Sequence, residues 1–132
     1  MELKVKIDGL DKLKNAFNLY PLESAKNIQR GIVQSITKIE RESVPITPID
    51  TSRLRESIPL GKKIKPLTGE IGPTVDYGYW VHEGTTNWPL SMPPKNPNTV
   101  RQFMRVGLER SDLAIQGFFN KAIRDTLNNI TR

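Results

Sequence analysis

The sequence predicts an α+β domain: a small antiparallel sheet packed against two long amphipathic helices, one in each half of the chain, with a long proline-rich loop. Three observations point there. Apolar residues recur in steps of three and four from Leu22 to about Ser43, and again from Val100 to Ile130. Alternation of period two appears at Leu3, Val5 and Ile7, and at Ile58, Leu60, Lys62 and Ile64. Between the second alternating stretch and the last helix, Asn87 to Pro97 holds four prolines in eleven residues, which neither a sheet nor a helix accommodates. At 132 residues the chain is expected to form one domain, 1–132, with one ordinary core.

Taken in order, Leu3 to Ile7 reads as a half-buried strand ended by Gly9. Leu10, Leu13 and Phe17 then share one side of a short helix. Pro21 opens the first long helix, since a proline is tolerated in a first turn. Its buried face is expected to carry Leu22, Ala25, Ile28, Ile32, Val33, Ile36 and Ile39. The opposite face takes Glu23, Lys26, Asn27, Arg30, Gln34, Lys38 and Arg41. Pro45 and Pro48 end it. Asp50, Thr51 or Ser52 then caps a short helical turn ahead of Leu54, and a strand follows over Ile58 to Ile64. Pro66 to Gly69 is a turn, in which Gly69 supplies a positive φ if the turn type demands one. Glu70, Ile71 and Gly72 begin the returning strand.

That strand leads into Pro73 to Thr86, which contains two of the three tyrosines, one of the two tryptophans and the only histidine. Val75, Tyr77, Tyr79 and Val81 alternate as on a strand, whereas Tyr77, Trp80, Val81 and Gly84 repeat as on a helix. A strand tightening into a helical turn near Trp80 satisfies both periods. Rings this dense are expected to be buried beneath the long helices or against another subunit. Trp88 and Met92 mark the proline-rich loop as a docking segment rather than a spacer. Asn98 or Thr99 caps the last helix, which is either continuous or divided at Ser111.

The chemistry expected is sparse. With no cysteine and a single histidine, a nitrogen- or sulfur-rich metal site cannot be built within one chain. No cofactor motif or glycine-rich phosphate loop occurs, and nothing marks a nucleophile for His82 to serve. No catalytic residue, metal, cofactor or small-molecule substrate is therefore expected, and the chain is read as a non-enzyme. No apolar run approaches the roughly 20 residues of a membrane span, so no membrane partner is expected. The net charge of +6 favours anionic partners. Its one cluster, Lys62, Lys63 and Lys65 with Arg53 and Arg55 upstream, reads either as a lysine-protected edge strand or as a contact with DNA.

Two segments together resemble a tailed-phage family of tail-component, head–tail joining or tail-completion proteins. Val44-Pro45-Ile46-Thr47-Pro48-Ile49-Asp50-Thr51-Ser52-Arg53-Leu54-Arg55-Glu56-Ser57-Ile58 is similar to the signature Ala-Pro-x-Asp-Thr-Gly-x-Leu-x-x-Ser-Ile, with Ser52 where glycine is usual. Tyr77 to Thr85 is similar to Tyr-Ala-x-Tyr-Val-Glu-x-Gly-Thr, with His82-Glu83 as a one-residue shift. Phe103 to Leu108 resembles the Pro-Phe-Leu-Arg-Pro-Ala-Leu that opens that family's last helix, with Gln102 in place of proline. Val5 to Leu13 resembles its usual start. The resemblance implies a virion structural protein at the phage neck, present in the host cytoplasm during assembly. It implies a homo-oligomer, plausibly a hexameric ring, that joins head-closure or connector proteins to the tail tube and has nonspecific contact with passing DNA. A ring needs one patch of a subunit to bind a different patch of its neighbour. Tyr77, Tyr79, Trp80, Glu83, Trp88 and Met92 are expected to form one such patch, and Lys62, Lys63 and Lys65 to face the DNA channel. The alternative is a small basic nucleic-acid-binding module, which shares the charge but lacks a recognised reading element.

Overall fold

The structure is a computed structural model that describes residues 3–8, 21–48, 52–65, 68–96 and 98–130. The short helix expected at Leu10 to Phe17 lies outside the described residues. The fold is α+β, with an antiparallel sheet and a long C-terminal helix packed on a long N-terminal one. Strand β1 is Val5–Asp8, helix α1 is Pro21–Ser43, and a 3-10 turn covers Val44–Ile46. Helix α2 is Arg53–Leu60, strands β2 and β3 are Lys63–Ile64 and Thr68–Ile71, helix α3 is Tyr77–Glu83, and helix α4 is Phe103–Ile130. No helix among the described residues is long and apolar enough to cross a membrane.

The sheet order is β1-β3-β2, which puts β3 in the centre. Val5 faces Ile71 and Ile7 faces Gly69 across one ladder, while Lys63 faces Glu70 and Ile64 faces Gly69 across the other. Gly69 lies within β3 rather than in the turn before it. Its role is close approach: a Cβ there would press on Ile32 Cγ2 at 2.7 Å and Ile36 Cγ1 at 2.8 Å, so its absence seats the sheet on α1.

One cluster forms the core. Ile28, Ile32, Ile36 and Ile39 of α1 meet Leu54 and Ile58 of α2, Ile71 of β3, and Phe103, Met104, Ile115 and Phe119 of α4. Each buried aliphatic or aromatic side chain contributes about 1.5–3 kcal/mol relative to exposure. Two assignments on α1 are corrected. Val33 is 44 % exposed because it lies a hundred degrees around the helix from the Ile28–Ile39 stripe. Asn27, expected in solvent, is buried and donates from Nδ2 to Thr126 Oγ1 at 3.1 Å.

Asn27 belongs to a second face of α1, made of small residues, that packs antiparallel against α4. Ser24, Asn27, Gly31 and Ser35 lie on it, and all are buried. Gly31 abuts Phe119, and Ser43 abuts Gly107. The hydroxyls of Ser35, Ser111 and Thr126 are buried without cost in unmet donors, because each bonds the carbonyl four residues earlier, at 2.7, 2.7 and 2.8 Å.

Two further expectations are overturned. The strand expected over Ile58 to Ile64 is mostly helix, and only Lys63–Ile64 is extended. Leu54 and Ile58, four residues apart, turn into the core together, and that stripe outweighs the alternation that begins at Ile58. The cap expected at Asn98 or Thr99 serves a local turn instead, where the Thr99 hydroxyl donates to Asn96 O at 2.8 Å. Helix α4 starts at Phe103 and runs through Ser111 without division.

Candidate functional site

The aromatic run is helical from Tyr77 and does not begin as a strand: β3 ends at Ile71, and Gly72 to Asp76 holds neither helix nor strand. Gly78 and His82, one turn apart, face inward. Gly78 is small by necessity, since a Cβ would meet Pro73 Cβ at 2.8 Å and Leu54 Cδ1 at 3.1 Å. With that pair turned inward, Tyr77 is 39 % and Trp80 46 % exposed, while Tyr79 is half-buried and packs edge-on against Trp80 at 5.0 Å. Burial of every ring within the chain, one of the expected outcomes, does not occur.

Gly84, at φ 89°, stops α3 and turns the chain, with its amide bonded to Trp80 O at 2.8 Å. The described residues between α3 and α4, 84–96 and 98–102, contain no helix or strand. They are tied locally: Thr85 N donates to Trp88 O at 2.9 Å, Trp88 N to Thr85 Oγ1 at 3.0 Å, and Met92 N to Pro89 O at 2.9 Å.

Arg101 joins this segment to α3. Its guanidinium carbon lies 3.8 Å from the centre of the Trp88 ring, Nη2 donates to Trp80 O at 3.2 Å, and Nη1 approaches Pro89 O at 3.4 Å. The residue is only 8 % exposed, and a desolvated cation–π contact of this kind contributes about 2 kcal/mol. Trp80, Trp88 and Pro89 are thereby held in one region, and Leu90 (44 % exposed) and Met92 (47 % exposed) lie within the next three residues of the chain. Trp88 and Met92 also line a cleft of about 320 Å³ with Pro48, Pro93, Pro94 and Thr99. Arg101 was not singled out from the sequence; a lone arginine before a helix carries no spacing that distinguishes a clamp from a surface charge.

Beneath the surface, His82 Nδ1 lies 2.7 Å from Glu83 Oε1, and its Nε2 is buried without a hydrogen-bond partner among the described residues. Burial lowers the pKa of His82 below its ordinary 6.5 against the opposing pull of Glu83. Glu83, expected at an interface, thus has its carboxylate on the buried imidazole. Among the described residues no group of three or more potential ligands could hold a metal ion.

The expected basic cluster is divided. Lys62 Nζ pairs with Glu40 of α1 at 2.9 Å, and Arg55 straps the 3-10 turn to α2 by donating to Thr47 O and Pro45 O, both at 2.8 Å. Lys63 and Lys65 are exposed, on or beside the edge strand β2, and carry no ion pair among the described residues. Lys63 borders a cleft of about 260 Å³, together with Lys4, Glu70, Asp76 and Tyr79. Of the three expected caps only Ser52 is described, and it does not serve as one: it stands before α2 at φ 65° and ψ −14°, and its side chain makes no capping bond. Asp50 and Thr51 lie outside the described residues.

No protein-family model, curated protein or solved structure matches the chain.

Proposed function

We propose that the chain is a structural virion protein of a tailed phage, a head–tail joining or tail-completion component that acts by assembling with copies of itself and with its neck neighbours. The observation that carries this reading is the exposure of Tyr77, Trp80, Leu90 and Met92 on two segments that Arg101 ties together through the Trp80 and Pro89 carbonyls and the Trp88 ring. Large side chains left in water across two consecutive segments suit an interface, and their rigid anchoring lowers the entropy lost on docking. In this reading the proline-rich segment 87–97 is the docking loop, and the partners are neighbouring subunits, head-closure proteins and the tail tube.

The conformation at Ser52 also supports it. The resembled Asp-Thr-Gly signature places glycine there, and φ 65° is a value that glycine adopts freely. Gln102 departs from the resemblance: its φ of 56° is closed to the proline of the resembled pattern, so the approach to α4 is built differently in this chain.

Trp80→Ala and Met92→Ser test the reading better than Trp88→Ala, because Trp88 also covers Arg101. Native mass spectrometry and sedimentation of the wild type are expected to give a closed oligomer. Both variants should shift it toward a folded monomer, with a circular-dichroism spectrum like that of the wild type. A wild type that stays monomeric at its highest soluble concentration, or variants that assemble as it does, would sink the proposal.

A further inference from the structure

His82, the chain's only histidine, sits where α3, α4 and the Arg101 clamp meet. The residue is 3 % exposed, and its ring packs edge-on against Phe103 with centroids 5.0 Å apart. With Glu83 Oε1 as acceptor at 2.7 Å, Nδ1 carries the proton of the neutral ring and Nε2 keeps a lone pair. That lone pair faces no donor among the described residues. A second proton, which must go to Nε2, would create a buried N–H without an acceptor on a ring that has become a cation.

The charged groups acting on the ring come from each neighbouring element. Glu83 on α3 favours the imidazolium, while Arg105 in the first turn of α4 and Arg101 just before it oppose it. The same residues hold the elements together. His82 O accepts from Gln102 N at 3.1 Å, and Arg101 bonds the carbonyls of Trp80 and Pro89.

We propose that His82 is an acid-operated latch: protonation at Nε2 drives the ring from its seat on Phe103 and loosens α3 and the Trp88–Pro89 segment from the start of α4. One proton is taken up from solvent, the Nε2 lone pair forms the new N–H bond, the ring goes from neutral to +1, and no bond is broken. Because the folded pKa lies below that of the unfolded chain, the latch contributes fully above about pH 6.5, the unfolded value. Its contribution falls as pH drops from there toward the folded pKa, since the loosened or unfolded chain binds the proton first. An effect of acid on assembly rests on the function proposed above; the latch itself is a property of one chain.

The test therefore uses the full chain as a dilute monomer. A single histidine gives one imidazole Hε1 resonance, which proton NMR follows while tryptophan emission reports Trp80 and Trp88. The resonance is expected to titrate with a midpoint below 6.5, and emission to change with the same midpoint. Glu83→Gln should lower the midpoint and Arg105→Gln, at an exposed site, should raise it. His82→Phe should leave emission flat between about pH 7.5 and about pH 5. A midpoint at or above 6.5, emission indifferent to the titration, or a ring that stays neutral to about pH 4.5 would each overturn the latch. If His82→Phe does not fold, the Glu83 and Arg105 variants decide it: the emission midpoint must move with the resonance in opposite directions, and emission that stays put overturns the latch.

Discussion

Ser52 and Gln102 hold φ values of 65° and 56°, in the left-handed region that costs an L side chain about 1–2 kcal/mol. At Ser52 the strain meets no compensating side-chain bond, since the hydroxyl does not cap α2. Its backbone is still needed: Ser52 O accepts from Glu56 N at 3.0 Å and so starts the helix. Ser52→Gly removes the strain but frees the unfolded chain, at a cost of about 0.5–1 kcal/mol. The net expectation is a gain of about 0–1.5 kcal/mol, a rise of up to roughly 6 °C in Tm by calorimetry. A lower Tm would mean that the position is not strained. The sequence marked this stretch as a helix start because Asp, Thr and Ser are capping residues. Whether a hydroxyl bonds an amide or merely occupies a left-handed corner depends on φ, and residue type alone does not determine it.

The helices divide by how strongly their patterns compete. Ile28, Ile32, Ile36 and Ile39 were legible on α1 because four β-branched residues at helical steps admit one reading. The small-residue face beside them was not, since Ser24, Asn27, Gly31 and Ser35 look like solvent-facing residues until a second helix covers them. In α3 the aromatic positions fitted two periods, and the buried Gly78–His82 pair that decided for a helix has no hydrophobic signal of its own. Two glycines of α4 separate close packing from helix propensity. A Cβ at Gly107 would fall inside the van der Waals shell of Ser43 Oγ and lie 2.9 Å from Ser43 Cβ, whereas one at Gly117 meets nothing within 4 Å. Gly107→Ala should therefore destabilise by about 1–3 kcal/mol through overpacking. Gly117→Ala should stabilise by about 0.5–1 kcal/mol through propensity alone. Urea unfolding of the two variants checks the pair; equal effects would show that the seam between α1 and α4 yields to a methyl group.

Across the whole molecule, the charge of +6 is less available to a partner than composition suggests. Lys62 is tied to Glu40, Arg55 to two carbonyls and Arg101 to Trp88, so each serves a structural contact. Lys63 and Lys65, with Arg53 upstream, remain as exposed cations of the original cluster, and strand geometry places the two lysine side chains, two residues apart, on one face. Two physical roles compete for them. As edge-strand protectors they only need to stay solvated, which costs nothing and binds nothing. As backbone contacts to passing DNA they displace counterions, and each neutralised phosphate steepens the dependence of log K on log salt by about 0.9. The double variant Lys63→Gln/Lys65→Gln distinguishes the roles. If DNA is contacted, fluorescence anisotropy with a random duplex should give a salt slope shallower by roughly 1–2 per bound subunit, with unfolding unchanged. Lys62→Gln should leave the slope alone and cost at most about 1 kcal/mol, the value of an exposed ion pair. An unchanged slope in the double variant would assign both lysines to guarding the sheet edge, and any residual DNA affinity would then have to come from cations elsewhere on the chain.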